Sequence, residues 1–348
     1  MSYIPKPKVH HPSLRKNLIG LTRRDYEGSI TTLCAGCGHD SVTAAIIQAF
    51  WELEIEPHKV AKLSGIGCSS KTPAYFLRES HGFNSVHGRM PSLATGAAAA
   101  NRDLIMIGIS GDGDSLSIGL GQLCHAIRRN VNLLYVLENN GVYGLTKGQF
   151  SAAADIGTTS KKGEVNEMGP VDGVLLALSL GATFVARSFS GDKEQLVPIL
   201  KAGIRHQGFA FVDVISPCVT FNDHEGSTKA YAYTREHQHG VVAADFVPER
   251  SEITTEYPEG STQEVTMHDG SRLRLRKLDP DYNPTDRDRA YSYIRERQAS
   301  GETVTGLLYI DPDSKDMMST ISRPLYNRPY ESLCPGSAAL DKLQARFR

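Results

Sequence analysis

Apolar and polar positions follow two alternating patterns along the first two thirds of the chain. Short runs rich in Val, Ile, Leu and Phe at 60–64, 104–110, 133–137, 183–187 and 209–215 read as strands buried on both faces. Between them, apolar positions recur at helical spacing over 41–53, 117–128, 171–180 and 193–206. The small-residue run ATGAAAAN, starting at Ala94, predicts a closely packed helix. This alternation predicts an α/β fold, a parallel sheet with helices on both faces. Ligands of such sheets sit at the carboxyl ends of strands, beside helix N-termini. Near residue 225 the pattern changes. Residues 226–348 are more polar, with RLRLRKL at 272–278 alternating like a half-buried strand and a charged helical stretch at 285–298 behind Pro284. The expected organisation is an N-terminal arm over 1–30, a compact domain over 31–225, and an irregular C-terminal extension over 226–348 wrapping the core or a partner.

Charge narrows the function classes. Thirty-eight Lys and Arg stand against 39 Asp and Glu in 348 residues, a net charge of −1. A general nucleic-acid binder carries a basic excess, so that class is set aside. No apolar run approaches the ~18 residues of a membrane helix. The N-terminal residues have no apolar core, so neither a signal peptide nor a membrane anchor is expected, and the expected compartment is the cytoplasm. The six cysteines, 34, 37, 68, 124, 218 and 334, are too sparse for a disulfide scaffold.

The stretch 104–149 carries the most chemistry. A strand runs into Gly111-Asp112-Gly113-Asp114, a helix follows, and a second strand ends at Glu138-Asn139-Asn140-Gly141. Strand ends of a parallel sheet are neighbours, so Asp112 and Asn140 can face one point. Both offer hard oxygen ligands, which suits Mg²⁺. Gly111 and Gly113 let backbone N–H groups approach a diphosphate at a helix start. A dinucleotide site is the competitor, but Leu116 stands where its third glycine belongs.

Four cysteines lie on apparent loops: Cys34 and Cys37 in CAGCGH, Cys68 in GIGCSSK and Cys218 in SPCVTF. One C-x-x-C with two distant lone cysteines is compatible with a [4Fe–4S] cluster, a zinc site or a redox pair. Spacing alone leaves all three open. Cys124, in GQLCHAIRR, reads as a core cysteine, and Cys334 as a bystander.

The segments GDGD and ENNGVYGLTKGQ resemble the thiamine-diphosphate motif, and YGLTKGQ narrows the resemblance to the beta subunits of 2-oxoacid:ferredoxin oxidoreductases, most of all those acting on 2-oxoglutarate. The resemblance spans roughly residues 25–225, with NPTDRDRA and VTGLLYIDP further on similar to the longer 2-oxoglutarate-type subunits. It implies that residues 31–225 form a thiamine-diphosphate-binding (pyrophosphate-type) domain. It implies that Asp112, Asn140 and the Val142 carbonyl hold Mg²⁺ against the diphosphate of thiamine diphosphate. It implies that Cys34, Cys37, Cys68 and Cys218 hold one [4Fe–4S] cluster. The loop Ile66, Gly67, Cys68, Ser69 would face cofactor and substrate, with Gly111, Gly113, Gly144 and Leu145 lining the cofactor. Lys71 would meet a substrate carboxylate, unless it is a solvated surface lysine. His87 would lie near the cofactor, unless it merely caps its loop. His39 would bond the diphosphate or only close the cysteine loop. Lys147 and Ala35 depart from the glycine and proline that many relatives carry there.

The implied activity is thiamine-dependent oxidative decarboxylation of a 2-oxoacid to acyl-CoA and CO₂, with coenzyme A as co-substrate and electrons passed to ferredoxin, or the reverse carboxylation. The glutamate that activates the cofactor belongs, by the same resemblance, to a separate alpha subunit, giving a dimer of alpha–beta heterodimers. A pyruvate or broad-range enzyme, or a non-redox thiamine decarboxylase or synthase subunit, is the alternative.

Overall fold

The structure, a computed structural model, describes residues 11–247, 261–320 and Ala345. In chain order the helices and strands are α1 (Gly38–Glu52), β1 (Val60–Ser64), β2 (His81–Asn84), α2 (Met90–Ala100), β3 (Ile105–Gly111), α3 (Leu120–Arg128), β4 (Leu133–Asn139), β5 (Val142–Tyr143), β6 (Gln149–Phe150), α4 (Gly173–Ser179), β7 (Phe184–Phe189), α5 (Lys193–Arg205), β8 (Phe209–Ile215), α6 (Tyr231–His237), β9 (Gln238–Val247), β10 (Thr262–Thr266), β11 (Arg272–Lys277), α7 (Arg287–Ala299) and β12 (Thr303–Ile310). The first five strands expected from the pattern correspond to β1, β3, β4, β7 and β8, with ends shifted by at most two residues.

Apart from the small β5–β6 ladder, the described strands form one sheet in the order β10-β11-β9-β12-β7-β8-β4-β3-β1-β2. The six strands from β7 to β2 all run parallel. Every residue of β4 and β8 is buried, which a strand achieves only when both faces of its sheet are covered. Those faces are covered by helices in contact with one another: α1 on α5, α2 on α3, and α4 on α7. Gly111 lies opposite Glu138, and Asn139 opposite Ile215, so β3, β4 and β8 end level with one another.

The described part of the C-terminal extension is built of regular elements. Strand β12 joins the open side of β7 antiparallel, and β9, β11 and β10 follow outward. The alternation RLRLRKL explains this: Leu273 and Leu275 are fully buried while the intervening arginines reach the other face. A sheet edge with unpaired backbone groups is thereby covered. The described part of the N-terminal arm lies on the core. Tyr26 is fully buried and accepts a hydrogen bond from Asn17, whose amide also donates to the Trp51 carbonyl of α1. Among the described residues no helix is long and apolar enough to cross a membrane.

Candidate functional site

The parallel strands deliver their C-terminal residues to one rim. Just past β3, Asp112 is 1 % exposed, and its Oδ1 accepts the Asn140 backbone N–H at 3.3 Å. The Ser151 hydroxyl donates to the other oxygen of Asp112. Burial pushes the Asp112 carboxyl up to about 6 in spite of these bonds and of the charge of Lys229. Asn140 turns its Oδ1 to the Val142 N–H at 3.0 Å, and its own carbonyl accepts from Asn222 at 2.8 Å. Gly141, at φ +76°, makes this tight return possible, since a Cβ there would meet the Asn222 amide nitrogen at 2.7 Å. A buried carboxylate held above its usual range, beside an amide oxygen in the same cavity wall, is a donor set for a hard divalent cation.

That cavity is lined by Ile66, Gly67, Cys68, Ser69, His87, Gly111, Asp112, Gly113, Asn140, Val142, Gly144 and Leu145, all of them named from the sequence. Also in its wall are His39, Asp114, Tyr143 and Thr146. Lys71 is not among the lining residues; it sits half-buried one turn past Cys68, where its charge still favours the Cys68 thiolate. Leu145 is half exposed at the cavity mouth. A larger cavity, ≈ 500 Å³, lies between Asn139, Arg187 and α7. Two charge sets in its walls are already paired within the chain, Lys229 with Asp155 and Arg187 with both Asp172 and Asp213.

Asp114 ties the loops of the site together, a role its sequence position did not reveal. Its Oδ1 accepts the Gly88 N–H at 2.7 Å and the Ile66 N–H at 3.2 Å and meets His87 Nδ1 at 2.5 Å. Its Oδ2 accepts from Ser110 at 2.6 Å. The contact demands glycine at 65, where a Cβ would stand 1.9 Å from Asp114 Oδ2.

The cysteine loops dock on one another beside this cavity. Cys37 caps α1, and the Gly38 N–H donates to the Pro217 carbonyl at 3.3 Å. A Cβ at Gly38 would meet the Ser216 hydroxyl at 2.6 Å, so the helix start and the loop after β8 can approach only through glycine. Thr220 reaches Cys34 Sγ at 3.5 Å, and Tyr231 donates to the Gly36 carbonyl at 3.1 Å. Gly144 passes between two thiols: a Cβ on it would lie 3.4 Å from Cys68 Sγ and 3.7 Å from Cys218 Sγ. Burial raises the Cys37 thiol to about 12, and raises Cys68 and Cys218 as well, with neighbouring cysteines adding to each rise. The four sulfurs thus belong to one neighbourhood. Among the described residues no three His, Cys, Asp or Glu side chains are gathered tightly enough for a single metal ion. Cys124 lies half-buried on α3, and Cys334 lies outside the described residues.

A second buried network, also missed in the sequence, links the three cysteine loops. Glu138 is fully buried and accepts from Thr72, four residues past Cys68, at 3.2 and 3.0 Å. His39, two past Cys37, lies 3.6 Å from Glu138 and 2.6 Å from the hydroxyl of Ser216, two before Cys218. Burial lifts Glu138 well above the usual carboxyl range and lowers His39 to about 4. A charged residue inside the otherwise apolar run of β4 was the available signal. His39 therefore has its Nδ1 committed to the cysteine loops, and only its other ring nitrogen remains for the cavity.

Comparison with known proteins agrees with this geometry. Residues 65–214 match the family "Thiamine pyrophosphate enzyme, C-terminal TPP binding domain". The chain is 44% identical over 191 residues to the 2-oxoacid:ferredoxin oxidoreductase subunit beta of Saccharolobus solfataricus, covering 55% of this chain and 63% of that subunit. It is 38% identical to the 2-oxoglutarate synthase subunit KorB of Methanocaldococcus jannaschii, covering 54% of this chain and 69% of the relative. The chain therefore spans less than two thirds of the length of some of these relatives. A solved 2-oxoglutarate:ferredoxin oxidoreductase from Magnetococcus marinus, with 2-oxoglutarate, coenzyme A and succinyl-CoA bound, superimposes with a TM-score of 0.71 at 29% identity, over 92% of this chain and 97% of that one. The aligned strand-end motifs and these likenesses lead to one assignment: the chain belongs to the family of 2-oxoacid:ferredoxin oxidoreductase beta subunits.

Proposed function

We propose that the chain, joined to an alpha subunit, converts 2-oxoglutarate and coenzyme A to succinyl-CoA and CO₂, passing two electrons to ferredoxin, and that it can run in reverse. One observation carries the reading. A Cβ on Gly144, two residues past Val142, would lie 3.4 Å from the Cys68 sulfur and 3.7 Å from the Cys218 sulfur, so the proposed cluster ligands flank the proposed metal-ligand loop. When bound, thiamine diphosphate supplies the carbanion chemistry of decarboxylation and a [4Fe–4S] cluster the one-electron path.

The chain's own residues bind and orient. Asp112, Asn140 and the Val142 carbonyl hold Mg²⁺, whose charge answers the buried Asp112 carboxylate. Gly111 and Gly113 keep side chains away from the diphosphate; a Cβ on Gly113 would strike the Tyr143 ring at 2.5 Å. Cys34, Cys37, Cys68 and Cys218 hold the cluster. Leu145 meets the substrate at the mouth, and Lys71, outside the cavity wall, draws the distal carboxylate of a dicarboxylic acid toward it. The cavity encloses only ≈ 100 Å³, well under the roughly 300–1,000 Å³ of a complete ligand pocket. Exposed Ile66 and Leu145 stand in its rim. Both features support a second chain that closes the site and brings the activating glutamate.

The test is iron, sulfide and thiamine analysis of the chain co-expressed with its genomic neighbour, followed by a panel of 2-oxoacids with coenzyme A and a viologen dye. The expected result is about four irons and four sulfides per chain, one thiamine diphosphate, and dye reduction fastest with 2-oxoglutarate. Zinc in place of iron, or decarboxylation that needs no electron acceptor, would overturn the reading.

A further inference from the structure

We propose that Asp114 is a positioning residue that fixes the His87 ring with its Nδ1–H donated to the carboxylate, leaving Nε2 as the ring nitrogen presented to the ligand of the cavity. The assignment follows from which groups can only donate. The backbone N–H groups of Gly88 and Ile66 both point at Asp114 Oδ1, at 2.7 and 3.2 Å, and a backbone N–H has no other role. Asp114 Oδ1 is therefore an acceptor. His87 Nδ1, 2.5 Å from the same oxygen, must be the donor. The other carboxylate oxygen is equally committed, since Ser110 donates to it at 2.6 Å and is itself held by Ser115 at 2.7 Å. Asp114 is buried, and Gly65 leaves no room for a Cβ beside its carboxylate. The Tyr143 ring packs edge-on against the imidazole, with centroids 6.2 Å apart, and confines it from a second side.

His87 lines the cavity with its Nδ1 spent, so Nε2 is the ring nitrogen left for a ligand. The identity of the ligand rests on the functional reading above; the orientation of the ring does not.

Two measurements on the full chain, in complex with its alpha subunit where that co-purifies, test the proposal. In the first, ¹⁵N-histidine labelling with long-range proton–nitrogen correlation assigns the His87 ring by its loss in His87→Gln. A protonated Nδ1 is expected, and an unprotonated Nδ1 would overturn the proposal whether or not any ligand binds. The second compares thiamine diphosphate binding, with Mg²⁺, in two amide variants by titration calorimetry. In His87→Gln the amide falls near the Nε2 position, and in His87→Asn near Nδ1. If Nε2 serves the ligand, His87→Gln stays within about threefold of wild type and His87→Asn binds about tenfold more weakly. The opposite order would reduce His87 to a tether for Asp114. Absence of binding by the wild-type chain would count against the proposed function, while the nitrogen signature would still decide the Nδ1 proton.

Discussion

The two halves of the large sheet obey different rules, and only one of them carries chemistry. From β7 to β2 every neighbour is parallel, so β1, β3, β4 and β8 all end at one rim and bring Cys68, Asp112, Asn140 and Cys218 to it. In the half added by β12, β9, β11 and β10, three of four junctions are antiparallel, and strand ends are divided between the two rims. Its charges sit mid-strand instead, with Arg274 opposite Asp245 on one side and Glu264 on the other. Parallel pairing concentrates loop residues at one edge, whereas antiparallel pairing spends polar residues on cross-strand partners. The first half is a site and the second is a buttress.

Substitutions can break or sharpen that contrast. The largest effect belongs to Cys218→Ala, which should empty the proposed cluster site. Iron analysis should fall to background and dye-linked turnover by at least about 100-fold, with denaturant stability of the metal-free chain changed by less than about 1 kcal/mol. Gly65→Ala comes next. Its Cβ would press on Asp114, so urea titration should show a loss of about 1–3 kcal/mol, and thiamine diphosphate affinity should fall with it. An alanine variant that keeps both would mean that the Asp114 hub is dispensable.

Glu138→Gln sharpens the comparison through pH. Folding keeps a proton on Glu138 that the unfolded chain releases above the usual carboxyl range, so this group lowers stability as pH rises. His39, lowered to about 4 from 6.5, works the other way between those values, because there the unfolded chain binds the extra proton. Chemical denaturation should therefore show Glu138→Gln gaining on the wild type as pH rises from the usual carboxyl range, with His39 contributing equally to both, and a constant gap would refute the assignment. In the buttress, Tyr282 is buried and donates to the Leu308 carbonyl at 2.7 Å. Tyr282→Phe should cost about 1 kcal/mol and leave iron and thiamine content untouched; loss of either would join the two halves functionally. The smallest effect is at Lys147, which holds φ +80° without being glycine. Lys147→Gly should stabilise by about 0.5 kcal/mol, the relief of left-handed strain less the added entropy of the unfolded chain.

Much of the rim was legible before folding. Asp112, Asn140 and the cysteines at 68 and 218 follow apolar runs of strand length, and a residue just past a parallel strand is delivered to the ligand edge almost regardless of the rest. The departure at Lys147 was visible too, and its positive φ is the conformation that suits the glycine the resemblance implies there. Asp114 and Glu138 were not legible as hubs. Each acts on residues distant in sequence, Asp114 on Ile66 and His87, and Glu138 on His39 and Thr72. Ser151 and Asn222, which steady Asp112 and Asn140, come from loops with no motif of their own. Lys71 shows the converse: its neighbours in GIGCSSK line the cavity while its own side chain does not.

The sequence alone determined which segments become strands and helices and which residues stand at the strand ends, because period and turn chemistry are local properties of the chain. It also determined the ligand types on offer: thiolates, one acid and one amide. Only the tertiary structure decided that β3, β4 and β8 lie side by side, that the extension completes the sheet, and that one buried carboxylate holds three loops while another links three cysteine segments. Those outcomes depend on which apolar faces bury one another and on which buried polar groups then find partners, and both are settled between residues far apart in the chain.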